Sequence, residues 1–118
     1  FRVGDFLEMD FEENYDFILA SGVLNYKVSQ VDQYEMAYEF MKKMYCTSTY
    51  AFSLDFLSNK VDFTHQHNFN YSPEKILSIG YEFSRKIILR NNVFPFEFSI
   101  TIFKDDSFSK KTTLFLNE

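Results

Sequence analysis

Residues Tyr15 to Gly22 read YDFILASG, a short, nearly continuous apolar run closed by a glycine. Such runs form strands buried on both faces, as in parallel sheets. Downstream, Val31 to Cys46 carries a helical period. Tyr34, Ala37, Met41 and Met44 share one face, with Asp, Glu, Gln and Lys between them. Asp32, Glu35 and Glu39 come early and Lys42 and Lys43 late, the order the helix dipole favours. Tyr50 to Leu57 (YAFSLDFL) then alternates, with Phe52, Leu54 and Phe56 on one face and Ser53 and Asp55 on the other, which predicts a strand.

A polar, irregular stretch runs from Ser58 to about Tyr71. Ser72 and Pro73 open a second helix, Ser as N-cap and Pro at the first helical position. Ile76, Ile79 and Phe83 follow at helical spacing. Gly80 lies among them, either to let the helix approach a sheet or as a weak point in it. Lys86 to Arg90 (KIILR) reads as a strand, Asn91 to Pro95 as a turn, and Phe96 to Lys104 (FEFSITIFK) as a strand with Phe96, Phe98, Ile100 and Ile102 inward. Two strands joined by a short turn predict an antiparallel hairpin. Residues 105–118 are polar with a late apolar patch at Leu114, Phe115 and Leu116, an edge strand or a tail. The order strand, helix, strand, helix, strand, strand is that of an α/β domain: parallel strands, covering helices and a terminal antiparallel hairpin.

Composition narrows the function. Apolar residues make up 46% of the 118, and 16 Phe and 8 Tyr supply large buried areas, so the chain can build a core. The net charge of -5, with basic residues scattered, argues against nucleic acid as a partner. No run has the length of a membrane span and no signal-peptide pattern is present, so no membrane partner is expected and a cytoplasmic location is the default. Cys46, the single cysteine, falls in the amphipathic helix pattern and is expected to be a packed thiol.

Two short segments carry the candidate chemistry. Gly4-Asp5-Phe6 puts an acid and an unblocked amide side by side, and by itself is compatible with a simple turn. Ser21, Gly22, Val23 and Leu24 follow the first strand, where ligands of open α/β sheets bind; a plain strand-ending turn is the alternative. A glycine there lets backbone approach a ligand closely. Asp62, His65 and His67, in the polar loop, are candidate bases or solvated loop residues. Without a cysteine partner they are not read as a metal site.

In this order and spacing, Gly4-Asp5-Phe6 and YDFILASGVLN (Tyr15–Asn25) resemble the second half of class I S-adenosylmethionine-dependent methyltransferases. Further likeness, to one bacterial subgroup, lies in SPEKI (Ser72–Ile76) and PFEFSITIFKD (Pro95–Asp105). The resemblance, which runs from Gly4 to about Asp106, implies that residues 1–118 are a partial domain, the C-terminal half of a Rossmann-like methyltransferase sheet with its fourth to seventh strands, and residues 105–118 a tail or edge strand. It implies S-adenosylmethionine as cofactor, with Asp5 accepting from the adenine amino group and the Phe6 amide donating to a ring nitrogen. Ser21, Gly22, Val23 and Leu24 would lie beside the sulfonium. Methyl transfer is largely alignment, so the lack of an acid–base dyad is no objection. The family's glycine-rich loop is missing, because the only glycines are Gly4, Gly22 and Gly80. A missing N-terminal half or a partner chain is therefore expected to complete the sheet, and a small molecule to be the acceptor. The competing reading is a non-catalytic α/β binding or scaffolding module.

Overall fold

In the computed structural model, which describes residues 4–108, six elements follow one another: β1 (Tyr15–Ala20), α1 (Gln33–Thr47), β2 (Ser48–Leu57), α2 (Pro73–Tyr81), β3 (Ile87–Arg90) and β4 (Glu97–Phe103). The sheet order is β1-β2-β4-β3. β1 runs parallel to β2, and β4 is antiparallel to both β2 and β3. The expected α/β architecture with its closing hairpin is present. Residues 105–108 carry no strand, and the apolar patch at Leu114–Leu116 lies outside the described residues.

The helix boundaries follow from local chemistry. Asp32 caps α1 by accepting from the Tyr34 and Glu35 amides at 2.9 and 3.3 Å, which satisfies donors with no partner inside the helix. Ser72 does the same for Lys75 at 3.2 Å, with Pro73 next to it. At the other end of α1 the cation comes from β4 rather than from Lys42 or Lys43. Lys104 Nζ donates to the Tyr45 and Ser48 carbonyls at 2.5 and 2.8 Å and lies over the Tyr45 ring. A cation at this end complements the dipole.

Both helices contribute to one core. Phe52, Leu54, Phe56, Phe98, Ile100 and Ile102 are fully buried and share it with Ala37, Met41, Met44 and Ile76. Each large side chain buried there is worth about 1.5–3 kcal/mol. At Gly80 a Cβ would stand 3.0 Å from Ile100 Cδ1 and 3.2 Å from Ile87 Cδ1. The glycine is therefore a close-approach residue, and α2 packs against β3 and β4 through it.

Three expectations are corrected. β1 is not buried on both faces: Tyr15, Phe17 and Leu19 are exposed, because they point to the side of the sheet away from the helices, over which no described element packs. Phe96 is half exposed, because the strand begins at Glu97 and Phe96 belongs to the preceding turn. Cys46 is exposed, standing off the Ala37–Met41–Met44 stripe. The stretch Ser58–Tyr71 is polar and irregular, as expected, and is tied where its two ends meet. Ser58 and Tyr71 form a bridge, and Tyr71 is fully buried.

Candidate functional site

The parallel strands β1 and β2 end on the same side of the sheet, and the bend Ser21–Leu24 and the polar loop after β2 lie there, whereas Asp5 and Phe6 do not join them. Just past β1, Ser21 Oγ donates to Asp55 Oδ2 and the Gly22 amide donates to Asp55 Oδ1, both at 2.7 Å. Asp55 thus clamps the bend from the neighbouring strand with two charge-assisted bonds. The sequence placed Asp55 on the polar side of β2 without disclosing this partner. Gly22 has φ +70°, a conformation that favours glycine, and a Cβ there would meet only Asn25 Nδ2, at 3.6 Å. Space beside this backbone is open.

The next residues diverge. Val23 is about half exposed, whereas Leu24 is in the core. The Leu24 carbonyl accepts from Tyr71 Oη at 3.0 Å, and Gln33 Nε2 donates to the same hydroxyl at 3.0 Å. Burial pushes the Tyr71 hydroxyl above its ordinary pKa, only partly offset by the Gln33 bond. Tyr71 therefore ties the bend to the end of the polar loop and to the first turn of α1. Among the described residues, Asn25 Oδ1 is a buried acceptor with no hydrogen-bond partner. A buried orphan of this kind calls for an explanation, and a ligand atom is one. Neither Tyr71 nor Asn25 was singled out by the sequence.

Asp5 and Phe6 sit in a turn against α1. The Leu7 amide donates to Asp5 Oδ1 at 3.0 Å, and the Glu8 and Met9 amides donate to the Asp5 carbonyl. The Phe6 ring lies 4.8 Å from Phe40 and 5.6 Å from Phe11, with Lys43 Nζ over it. Lys43 also donates to the Met9 carbonyl. These contacts run to α1, not to Ser21, Gly22 or Val23, so the two expected cofactor segments have separate supports.

The polar loop forms a second feature at the same end. A cavity of about 510 Å³ is lined by Leu57, Val61, Phe63, His65, Asn68 and Phe96, together with Asp62 and Lys60. His65 is thus a wall residue, its ring edge-on to Phe63 at 5.6 Å. His67 faces Gln66 at 3.2 Å. Nearby, at the start of β4, burial and the Asp55 charge raise the Glu97 carboxyl above its ordinary range. No group of His, Cys, Asp and Glu able to hold a metal ion occurs among the described residues. None of the described helices is long and apolar enough to cross a membrane.

An antiparallel β4 lying between β2 and β3, with both helices packed on the same sheet, makes an α/β fold that matches part of a Rossmann-like methyltransferase fold. Two solved structures share it. Magnesium protoporphyrin IX methyltransferase (ChlM) from Synechocystis PCC 6803 with bound SAH superposes with a TM-score of 0.60 at 12% identity, covering 86% of this chain and 49% of that one. The same enzyme with bound SAM gives 0.59 at 14% identity, covering 86% and 44%. The chain thus spans about half the length of the structures it matches. At these identities the likeness is one of fold. No family model and no curated protein matches the sequence.

Proposed function

We propose that this chain is the C-terminal half of an S-adenosylmethionine-dependent methyltransferase acting on a small molecule, with residues 1–118 supplying the fourth to seventh strands of the catalytic domain. The observation that carries this reading is a sheet of order β1-β2-β4-β3 with β4 antiparallel, in a fold that superposes at a TM-score of 0.60 on part of a methyltransferase solved with SAH bound.

The residues at the β1 bend fit part of such a cofactor. Gly22 leaves its outer side open, and among the described residues the buried Asn25 Oδ1 is an acceptor with no partner. When bound, S-adenosylmethionine supplies an activated methyl group. This chain's residues then have to bind and align. Asp55 holds the Ser21–Gly22 backbone in place, Val23 offers an apolar contact, and Leu24 anchors the bend in the core. Asp5 and Phe6, in a turn on α1, take the adenine in this reading. The unpaired outer side of β1 takes a strand from the missing N-terminal half or a partner chain, which also brings the glycine-rich loop.

Calorimetric titration with S-adenosylmethionine tests this. The chain alone is expected to bind weakly or not at all. The protein extended upstream by a half-domain is expected to bind with a Kd of order micromolar, weakened about tenfold or more by Asp5→Ala. An extended protein that binds no S-adenosylmethionine would refute the proposal.

A further inference from the structure

The cavity beneath the loop between β2 and α2 has features that the cofactor reading does not use. Its walls combine exposed aromatics with a stiff frame. Phe63 is 74% exposed and Phe96 48%, and Phe94 is stacked on Phe96 at 5.5 Å. Exposed apolar residues gathered around one concavity mark a binding site rather than ordinary surface. A loop that was merely loose would not be stitched as this one is. The Ser58 amide donates to the Phe96 carbonyl and the Asn59 amide to the Tyr71 carbonyl, both at 2.9 Å. Asn70 Nδ2 donates to the Ser58 carbonyl at 2.7 Å.

The volume of about 510 Å³ suits a small organic ligand. Charge narrows the choice. Lys60, at the rim, is engaged by Glu74 at 3.1 Å, and Asp62 and a net charge of -5 disfavour an anion. What remains for recognition is aromatic surface from Phe63 and Phe96, with the ring nitrogens of His65 and the amide of Asn68 as hydrogen-bonding partners. Location adds the last element. The loop's far side is sewn to the segment that follows the β1 bend: Tyr26 bridges Asn68, the Lys27 amide donates to the His67 carbonyl, and the Phe69 amide donates to the Asn25 carbonyl, both at 2.9 Å.

We infer that this cavity binds a planar, uncharged aromatic ligand carrying a hydroxyl, gripped by Phe63 and Phe96 and oriented by His65 and Asn68. The site stands on its own geometry. Its identity as the methyl-acceptor site rests on the function proposed above.

The test is a titration of the 118-residue chain with 2-naphthol, without S-adenosylmethionine, read by naphthol fluorescence; the chain has no Trp to interfere. Binding with a Kd below about 1 mM is expected. Phe63→Ala and His65→Ala should each weaken it about tenfold. Both side chains are exposed, and unchanged unfolding midpoints will show that the variants remain folded. Decahydro-2-naphthol, which keeps the hydroxyl but is not planar, and the anion 2-naphthoate should bind at least about tenfold more weakly. No 2-naphthol binding, equal binding by Phe63→Ala, or equal binding of the two control compounds would overturn the inference. Failure of the protein extended upstream to bind S-adenosylmethionine would leave this result standing and refute only the cofactor reading.

Discussion

The two faces of one sheet differ more than any two elements of this molecule. On the helix side, Phe52, Leu54 and Phe56 of β2 and Phe98, Ile100 and Ile102 of β4 are all buried to within 1% exposure. On the other side, cross-strand neighbours in register are Leu19, Ser53, Thr101 and Ile88. The centre of that row is small and polar, with Thr101 Oγ1 donating to Ser53 Oγ at 2.9 Å. Its flanks are apolar and open, Leu19 at 72% and Ile88 at 53% exposure. A sheet face meant for water carries polar residues throughout. This one has hydrophobic residues on its outer strands and hydroxyls between, the composition of a face that accepts a cover across its edges. Among the described residues, both helices cover one side of the sheet, whereas no helix or strand lies over the opposite side or beside the outer edge of β1.

The largest effect should come from the helix-covered face. Phe56→Ala removes a buried ring stacked on Phe98 at 5.4 Å and edge-on to Tyr71 at 4.8 Å. A loss of about 3–5 kcal/mol is expected, read from urea unfolding. A loss below about 1 kcal/mol would mean that the helix face is no better packed than the open one.

Next in size is Tyr71→Phe. It leaves the Leu24 carbonyl and Gln33 Nε2 without the hydroxyl between them, at about 1–3 kcal/mol. The pH dependence has a definite sign. Because burial raises the folded-state pKa of Tyr71, its contribution is complete below the unfolded value. It is lost as pH rises through the folded one, in the alkaline range above about 10. Wild-type stability should therefore fall there more steeply than that of Tyr71→Phe. Parallel alkaline profiles would show that the hydroxyl titrates as if exposed.

What was legible in the sequence follows the same division. Caps and periods are local, so Ser72, Pro73 and the alternation from Phe98 to Ile102 could be read directly, whereas Asp32 was read as an early acid of the helix and its capping role emerged only in three dimensions. The YDFILA run encodes what its faces would bury, but not whether this chain supplies the neighbour; its strand was legible and its exposure was not. Cys46 was misjudged because two residues beyond Met44 is off the buried stripe. Tyr71 meets Leu24 and Gln33 across separations of 47 and 38 residues, and Asp55 meets Gly22 across 33. No local pattern carries contacts of that range. At the candidate site, position at the strand end pointed to Ser21–Leu24, while the clamp and the orphaned Asn25 oxygen emerged only in three dimensions.

Gly80→Ala probes how closely the helix-covered face is fitted. Replacing a helix-interior glycine gains up to about 1 kcal/mol of propensity. Against it stands a Cβ 3.0–3.3 Å from the Cδ1 atoms of Ile100, Ile87 and Ile102, overpacking that costs about 1–3 kcal/mol. The methyl ends can yield, so a net loss of about 1 kcal/mol is expected from the unfolding midpoint. A gain would show that α2 does not need its close approach and that Gly80 is only a weak point.

The smallest effect is expected at Leu19→Ser, and it tests the open face most directly. In the chain alone this side chain is mostly in water, so stability should change by less than about 0.5 kcal/mol. Self-association should fall, since an open apolar edge strand is a template for pairing; sedimentation at increasing concentration reads this. In the upstream-extended protein of the proposed function, the same substitution should cost about 1–3 kcal/mol if the added half covers this leucine. If Leu19→Ser is silent in both forms, nothing lies over this face in the whole protein, and the contrast between the two faces is a property of a finished sheet rather than of half of one.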